Sequence, residues 1–155
     1  MKKYTVPAVM KFNPARKGTR YEYHGKAYNA GEAVECAISL AFDGFWRKDD
    51  IPFDKGSDLS TIPASIKSWN ATLVSPRCIN AKDFDGIVNE YLARVHSTVF
   101  IYGVEINGEI VCYEMNKAEF EKFLKSGLWK IDPSRNSVRQ KPCASKAIAW
   151  LENQI

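Results

Sequence analysis

Asp58 closes a polar turn, Gly56-Ser57-Asp58, and Lys67 follows nine residues later inside a stretch with strand character. A carboxylate can gather a divalent cation, and a lysine amine can steady charge developing on an attacked phosphate. The two residues therefore read as a candidate metal-and-lysine site. Side chains alternate along a strand, so Ser65, Lys67 and Trp69 share one face while Ala64, Ile66 and Ser68 share the other. Lys67 is thereby placed beside Ser65. The same residues also suit a plainer reading, with Asp58 capping the turn after Gly56 and Lys67 solvated on an edge strand.

The elements that would position these groups are legible on both sides. Asn29 followed by Glu32 forms a capping-box pattern, and a helix is expected from there to about Trp46. Val34, Ala37, Ile38, Ala41 and Phe45 fall on one stripe of that helix, with Glu35 at its edge and Glu32 further toward solvent. Residues 47 to 54 read as a charged loop. The strand containing Lys67 is expected to continue through Ser68 to Val74, ending at Ser75-Pro76. Residues 82 to 96 carry Phe84, Ile87, Val88, Tyr91, Leu92 and Val95 at helical spacing.

Thr98 to Val104 is apolar and β-branched, and Ile106-Asn107-Gly108-Glu109 is a two-residue hairpin turn leading into Ile110 to Tyr113. Asn116 is placed to cap a short helix from Lys117 to Lys125, with Phe120, Phe123 and Leu124 inward and Gly127 ending it. Leu128 to Ile131 reads as a strand, Arg135 to Lys141 as a basic strand or loop, and Ser145 as the cap of a last helix. Near the N-terminus, Tyr21-Glu22-Tyr23 followed by His24-Gly25 suits a small hairpin with His24 in its turn. Glu105, Glu109 and Glu114 are expected as solvent-facing strand residues.

Asp58 with Ser65-Ile66-Lys67, set between a helix bearing Glu35 and a later flanking helix, resembles the PD-(D/E)XK nuclease superfamily. In that family an aspartate and an acidic-x-Lys on adjoining strands hold magnesium and assist a water. The resemblance covers about residues 29 to 105. It implies an α/β fold, restriction-endonuclease-like, with a central mixed sheet of about four to five strands flanked by helices. It further implies a metal-dependent endonuclease acting on DNA, with Mg²⁺ or Mn²⁺ held by Asp58 and Glu35, Glu32 in reserve, and Lys67 orienting the water. This chain departs from the pattern at Ser57, where the proline would stand, and at Ser65, where the second acidic residue would stand. Ser65 could still act through its hydroxyl or carbonyl, and magnesium often rests on one or two carboxylates plus phosphate and water. The alternative is a catalytically impaired nucleic-acid-binding or regulatory module of the same fold.

The charge pattern bears on both. The chain carries +4 overall, but residues 1 to 31 hold seven Lys/Arg against one Glu, residues 32 to 126 ten against fifteen, and residues 127 to 155 five against two. Basic arms around an acidic centre suit grip on a phosphate backbone, and Arg16, Lys17 and Arg20, with Arg135, Arg139 and Lys141, are the expected DNA contacts. A length of 155 residues suits a single domain with a basic N-terminal hairpin or arm. The four widely spaced cysteines offer no zinc ligand set and read as reduced thiols of a cytoplasmic protein. No apolar run approaches the roughly 20 residues of a membrane span. DNA is the expected partner, with a homodimer as an option.

Overall fold

The computed structural model describes residues 1–46, 57–68, 72–74, 80–132, 137–140 and 144–155. In chain order the strands are β1 (Lys2–Pro7), β2 (Lys11–Phe12), β3 (Tyr21–Tyr23), β4 (Lys26–Tyr28), β5 (Ala64–Ser68), β6 (Thr72–Val74), β7 (Val99–Ile106), β8 (Glu109–Asn116), β9 (Trp129–Asp132) and β10 (Ser137–Gln140). The helices are α1 (Ala30–Asp43), α2 (Phe84–Arg94), α3 (Lys117–Leu124) and α4 (Ala144–Glu152). A four-stranded mixed sheet, ordered β1-β8-β7-β5, forms the centre of this α/β fold. Its β5–β7 pair is parallel and the other two are antiparallel.

Two residue types dictate the tightest joints. Asn107 and Gly108 both adopt positive φ, at 52° and 81°, which matches the twist of the strands they join and closes the β7–β8 hairpin. His24 and Gly25 do the same between β3 and β4, with φ of 48° and 77°, so His24 is the expected turn residue. Asn29 and Asn116 each cap a helix through a complete capping box, with Glu32 and Glu119 returning the bond.

One face of the sheet carries α1. Ser68, Gly103, Cys112 and Tyr4 form a row across the four strands. A Cβ on Gly31 would lie 3.4 Å from Ser68 Oγ, one on Gly103 would lie 2.6 Å from Val34 Cγ1, and the Phe42 ring lies 5.9 Å from that of Tyr4. The helix therefore runs across the strands, from β5 at its first turn to β1 near its last. Glycine at position 103 is what lets the helix approach so closely. The opposite face holds the larger core, where Phe100, Tyr102, Tyr113 and Met115 meet Ile87, Phe120, Phe123 and Leu151 of α2, α3 and α4.

A three-stranded sheet, β2-β3-β4, lies on the outer side of α1, where Tyr21, Tyr23, Tyr28 and Trp46 pack around Met10, Ala33 and Cys36. The remaining sheet is β6-β10-β9. Among the described residues no helix is long and apolar enough to cross a membrane.

Several expected boundaries move, each for a local reason. The stretch expected as one strand from residue 64 to 74 is divided. The β5 ladder with β7 ends at Ser68↔Gly103, whereas β6 takes β10 as its partner in another sheet. Helix α1 ends at Asp43, because Gly44 takes the left-handed conformation at φ 80°. Trp46 is thereby freed to pack edge-on against Tyr28, while Ala41 and Phe45 are exposed instead of joining the sheet-facing stripe. Helix α2 is shorter than expected, capped by Asp83 and left by an extended Val95. Lys125, not Gly127, is the C-cap of α3, and Ser145 is the second residue of α4 and not its cap.

Candidate functional site

The strand that carries Lys67 is an edge strand, and its open side is covered by the turn before it. Asp58 N–H donates to Ala64 O at 2.7 Å, and Asp58 Oδ2 accepts the Ile66 N–H at 2.7 Å. Ser57 Oγ accepts the Ala64 N–H at 3.2 Å and donates within the turn, at 2.7 Å from Leu59 O and 3.1 Å from Ile62 O. Ser57 and Asp58 thus satisfy the Ala64 N–H and C=O and the Ile66 N–H, groups that an edge strand otherwise presents to other chains. The turn is also tied to α1. Asp43 accepts the N–H of Ser60 at 2.8 Å, and the N–H and hydroxyl of Thr61 at 3.0 and 2.7 Å. Although burial pushes the Asp43 carboxyl up, those three donors leave it below the usual carboxylate range.

Lys67 does share its face with Ser65, as strand alternation requires. That face is the one covered by α2, and the Lys67 amine lies 5.8 Å from the ring centroid of Tyr91, a cation–π distance. Ser65 is buried, with its hydroxyl 2.8 Å from that of Ser97. Glu35 sits on α1, packed against the opposite face, so the sheet separates the element carrying Glu35 from the side chain of Lys67. Glu32 accepts the Asn29 N–H at 3.0 Å and completes the helix cap. The structure therefore brings Asp58 alongside the Lys67 strand but does not gather Glu35, Asp58 and Lys67 on one face. Among the described residues no group of three or more His, Cys, Asp or Glu could hold a metal ion.

The basic residues are placed differently. Arg16, Lys17 and Arg20 are exposed on the loop from β2 to β3, with Lys11 and Lys26 exposed on the adjoining strands. This loop is built by two side chains. Asn13 Oδ1 accepts the Ala15 N–H at 3.0 Å, and Glu22 Oε1 accepts from Asn13 Nδ2 at 2.6 Å and from Arg16 Nε at 3.1 Å. Those donors, Asn13 first and Arg16 next, hold the Glu22 carboxyl below its ordinary range. The Tyr21 hydroxyl bonds Glu105 of β7, fastening the small sheet to the central one, and burial followed by Glu105 pushes the phenol up to about 12. Arg139 lies on β10, whereas Arg135 and Lys141 lie outside the described residues.

Other groups are accounted for structurally. Glu109 is exposed as expected, whereas Glu114 accepts from the Tyr4 hydroxyl at 3.0 Å. Cys36 and Cys112 are buried free thiols, burial raising them to about 11 and about 12, and Cys78 and Cys143 lie outside the described residues. Phe12, one of the aromatics interleaved in sequence with the N-terminal basic residues, stands on β2 at 44% exposure.

No protein-family model, no curated protein and no solved structure matches this chain.

Proposed function

We propose that the chain is a DNA-binding module whose contact surface is the sheet β2-β3-β4 with its loop. The observation that carries this reading is the exposure of Lys11, Arg16, Lys17, Arg20 and Lys26 on one small element, with Glu22 the sole carboxylate among residues 1 to 31. Neutralising phosphates with such side chains releases condensed counterions, a driving force that needs no reading of base edges. Packing against α1 and the bond from Tyr21 to Glu105 give the surface a firm mount. Fluorescence anisotropy with a labelled oligonucleotide across a salt series tests it. Affinity should fall steeply as salt rises, and joint Ala substitution of Arg16, Lys17 and Arg20 should flatten the slope by about one unit for each phosphate no longer neutralised. An unchanged slope would move the contact to the basic segment around Arg135, Arg139 and Lys141, and no binding at low salt would end the reading.

One observation favours a second reading, a magnesium- or manganese-dependent endonuclease of restriction-endonuclease-like fold. Asp58 lies against the strand that carries Lys67, bonded to the residue next to it. Against it stands the donor set, one carboxylate engaged by a backbone N–H and a serine in place of the second acid. Nicking of supercoiled plasmid with Mg²⁺ or Mn²⁺ decides between the two. A purified chain that binds DNA and leaves the plasmid intact supports the binding module.

A further inference from the structure

A surface that grips phosphate gains no attraction from a carboxylate, yet Glu22 stands on this one. Strand register says what surrounds it. Glu22 pairs with Lys11 on one side and Ala27 on the other, whereas Phe12, Tyr21 and Tyr28 form the neighbouring row. Adjoining rows take opposite faces, and Tyr21 and Tyr28 are the side packed toward α1. Lys11, Glu22 and Ala27 therefore occupy the outward face. Asn13 and Arg20 extend it, since Asn13 N–H donates to Arg20 O at 2.7 Å and each lies two residues along from a member of that row.

The donors that hold Glu22 belong to this same side. Its Oε1 accepts from Asn13 Nδ2 at 2.6 Å and from Arg16 Nε at 3.1 Å, and Asn13 is itself fixed because its Oδ1 accepts the Ala15 N–H at 3.0 Å. Asn13 first and Arg16 next lower the Glu22 carboxyl below its ordinary range, with Lys11 adding to them. The consequence falls on Arg16, whose side chain stays 45% exposed. A guanidinium is a planar fork of N–H donors, so engaging Nε sets its plane and leaves the end-on pair of Nη groups for a second acceptor.

We infer that Arg16 is the centre of a phosphodiester subsite on the outward face of this sheet, with Glu22 the positioning residue that aims its guanidinium and Lys11 and Arg20 the flanking charge. The inference rests on the DNA-binding reading and specifies how that surface engages the backbone. Glu22 lowers the long-range attraction for phosphate, and in exchange it orders a fork that matches two oxygens of one phosphate. Phe12, Tyr21, Tyr23 and Tyr28 all belong to the opposite face, so the outward face has no ring to stack on an unpaired base. Contact is confined to phosphates, and a duplex is gripped at least as well as a single strand.

The test uses the full chain and a fluorescein-labelled DNA duplex, read by anisotropy across a salt series. Arg16→Ala should weaken binding roughly fivefold or more and lower the salt slope by about one unit. Arg16→Lys keeps the charge without the fork and should also weaken binding, by roughly threefold. Glu22→Ala should weaken it to a similar extent although it removes a negative charge, whereas Glu22→Gln, which keeps an oxygen for Asn13 and Arg16, should bind at least as tightly as the parent. In the Arg16→Ala background, Glu22→Ala should cause no further loss, the coupling expected of two residues acting as one. Circular dichroism and melting curves establish which variants keep the fold, and the two Arg16 variants leave the strands of the small sheet untouched. Tighter binding by Glu22→Ala, additive losses in the double variant, or Arg16→Lys binding like the parent overturns the positioning role while leaving DNA binding standing. A labelled single strand of equal length that binds more tightly than the duplex overturns the backbone-only engagement. Inorganic phosphate or poly-glutamate that competes as well as unlabelled duplex overturns the phosphodiester assignment, in favour of a free anion or an acidic protein partner. No binding to either DNA probe at low salt removes the DNA-binding reading itself.

Discussion

Asp58 Oδ2 accepts the backbone N–H of Ile66 at 2.7 Å, one residue before Lys67. The Asp58 carboxylate caps an edge strand. Asp58→Ala removes the acceptor, and because the site is exposed, water recovers part of the loss. The expected cost is about 1 kcal/mol, read as a melting temperature lower by about 2–4 °C. Asp58→Asn keeps an oxygen there and should melt close to the parent. If instead Asp58→Asn abolishes a magnesium-dependent nicking activity at unchanged melting temperature, the carboxylate's charge matters beyond its hydrogen bond, as the endonuclease reading requires.

Ser65 bears on the same question from the other face. Its hydroxyl is buried 2.8 Å from that of Ser97. Ser65→Glu, which would restore the acidic residue of the nuclease pattern, places a carboxylate where there is neither room nor solvent for it. It should destabilise the fold by roughly 3 kcal/mol or more through burial of charge. A Ser65→Glu protein that melts like the parent and gains magnesium binding by calorimetry would revive the nuclease site.

Gly103 meets the helix that crosses it. A Cβ there would lie 2.6 Å from Val34 Cγ1, 3.2 Å from Ile110 Cγ2 and 3.3 Å from Ile38 Cδ1. All three neighbours are buried and Val34 is β-branched, so they have little freedom to retreat. Gly103→Ala should cost about 1–3 kcal/mol in urea unfolding. A midpoint equal to the parent's would show that α1 is not held so closely against the sheet.

Asp43 gives the fold an acid sensitivity. Its folded carboxyl lies below the ordinary value, through the donors at Ser60 and Thr61 acting against burial. The stability it contributes is therefore present above its unfolded value of about 4 and is lost as pH falls through the lower folded value. Thermal melts between pH 5 and pH 2 should show a steeper loss for the parent than for Asp43→Asn. Parallel curves would mean that the carboxylate adds nothing beyond what an amide supplies.

What was legible in the chain was what depends on neighbours in sequence. Asn29 with Glu32 caps α1, Asn107-Gly108 closes the β7–β8 hairpin, His24-Gly25 turns β3 into β4, and Phe120, Phe123 and Leu124 point inward, because bonds three residues apart and positive φ are local constraints. Strand alternation likewise placed Lys67 and Ser65 on one face. Alternation cannot say which layer covers that face. Only the tertiary structure set α1 on one side of the sheet and α2 on the other, parting Glu35 from Lys67, because a helix's layer follows from pairings between residues distant in sequence. The same holds for the division of residues 64 to 74 between two sheets, since β5 and β6 differ in their partners, β7 and β10, more than in their residues. Asp58 shows the limit most plainly. Its position at the end of a polar turn was readable, but whether its oxygen meets a metal or a backbone N–H depends on where Ile66 comes to lie in space.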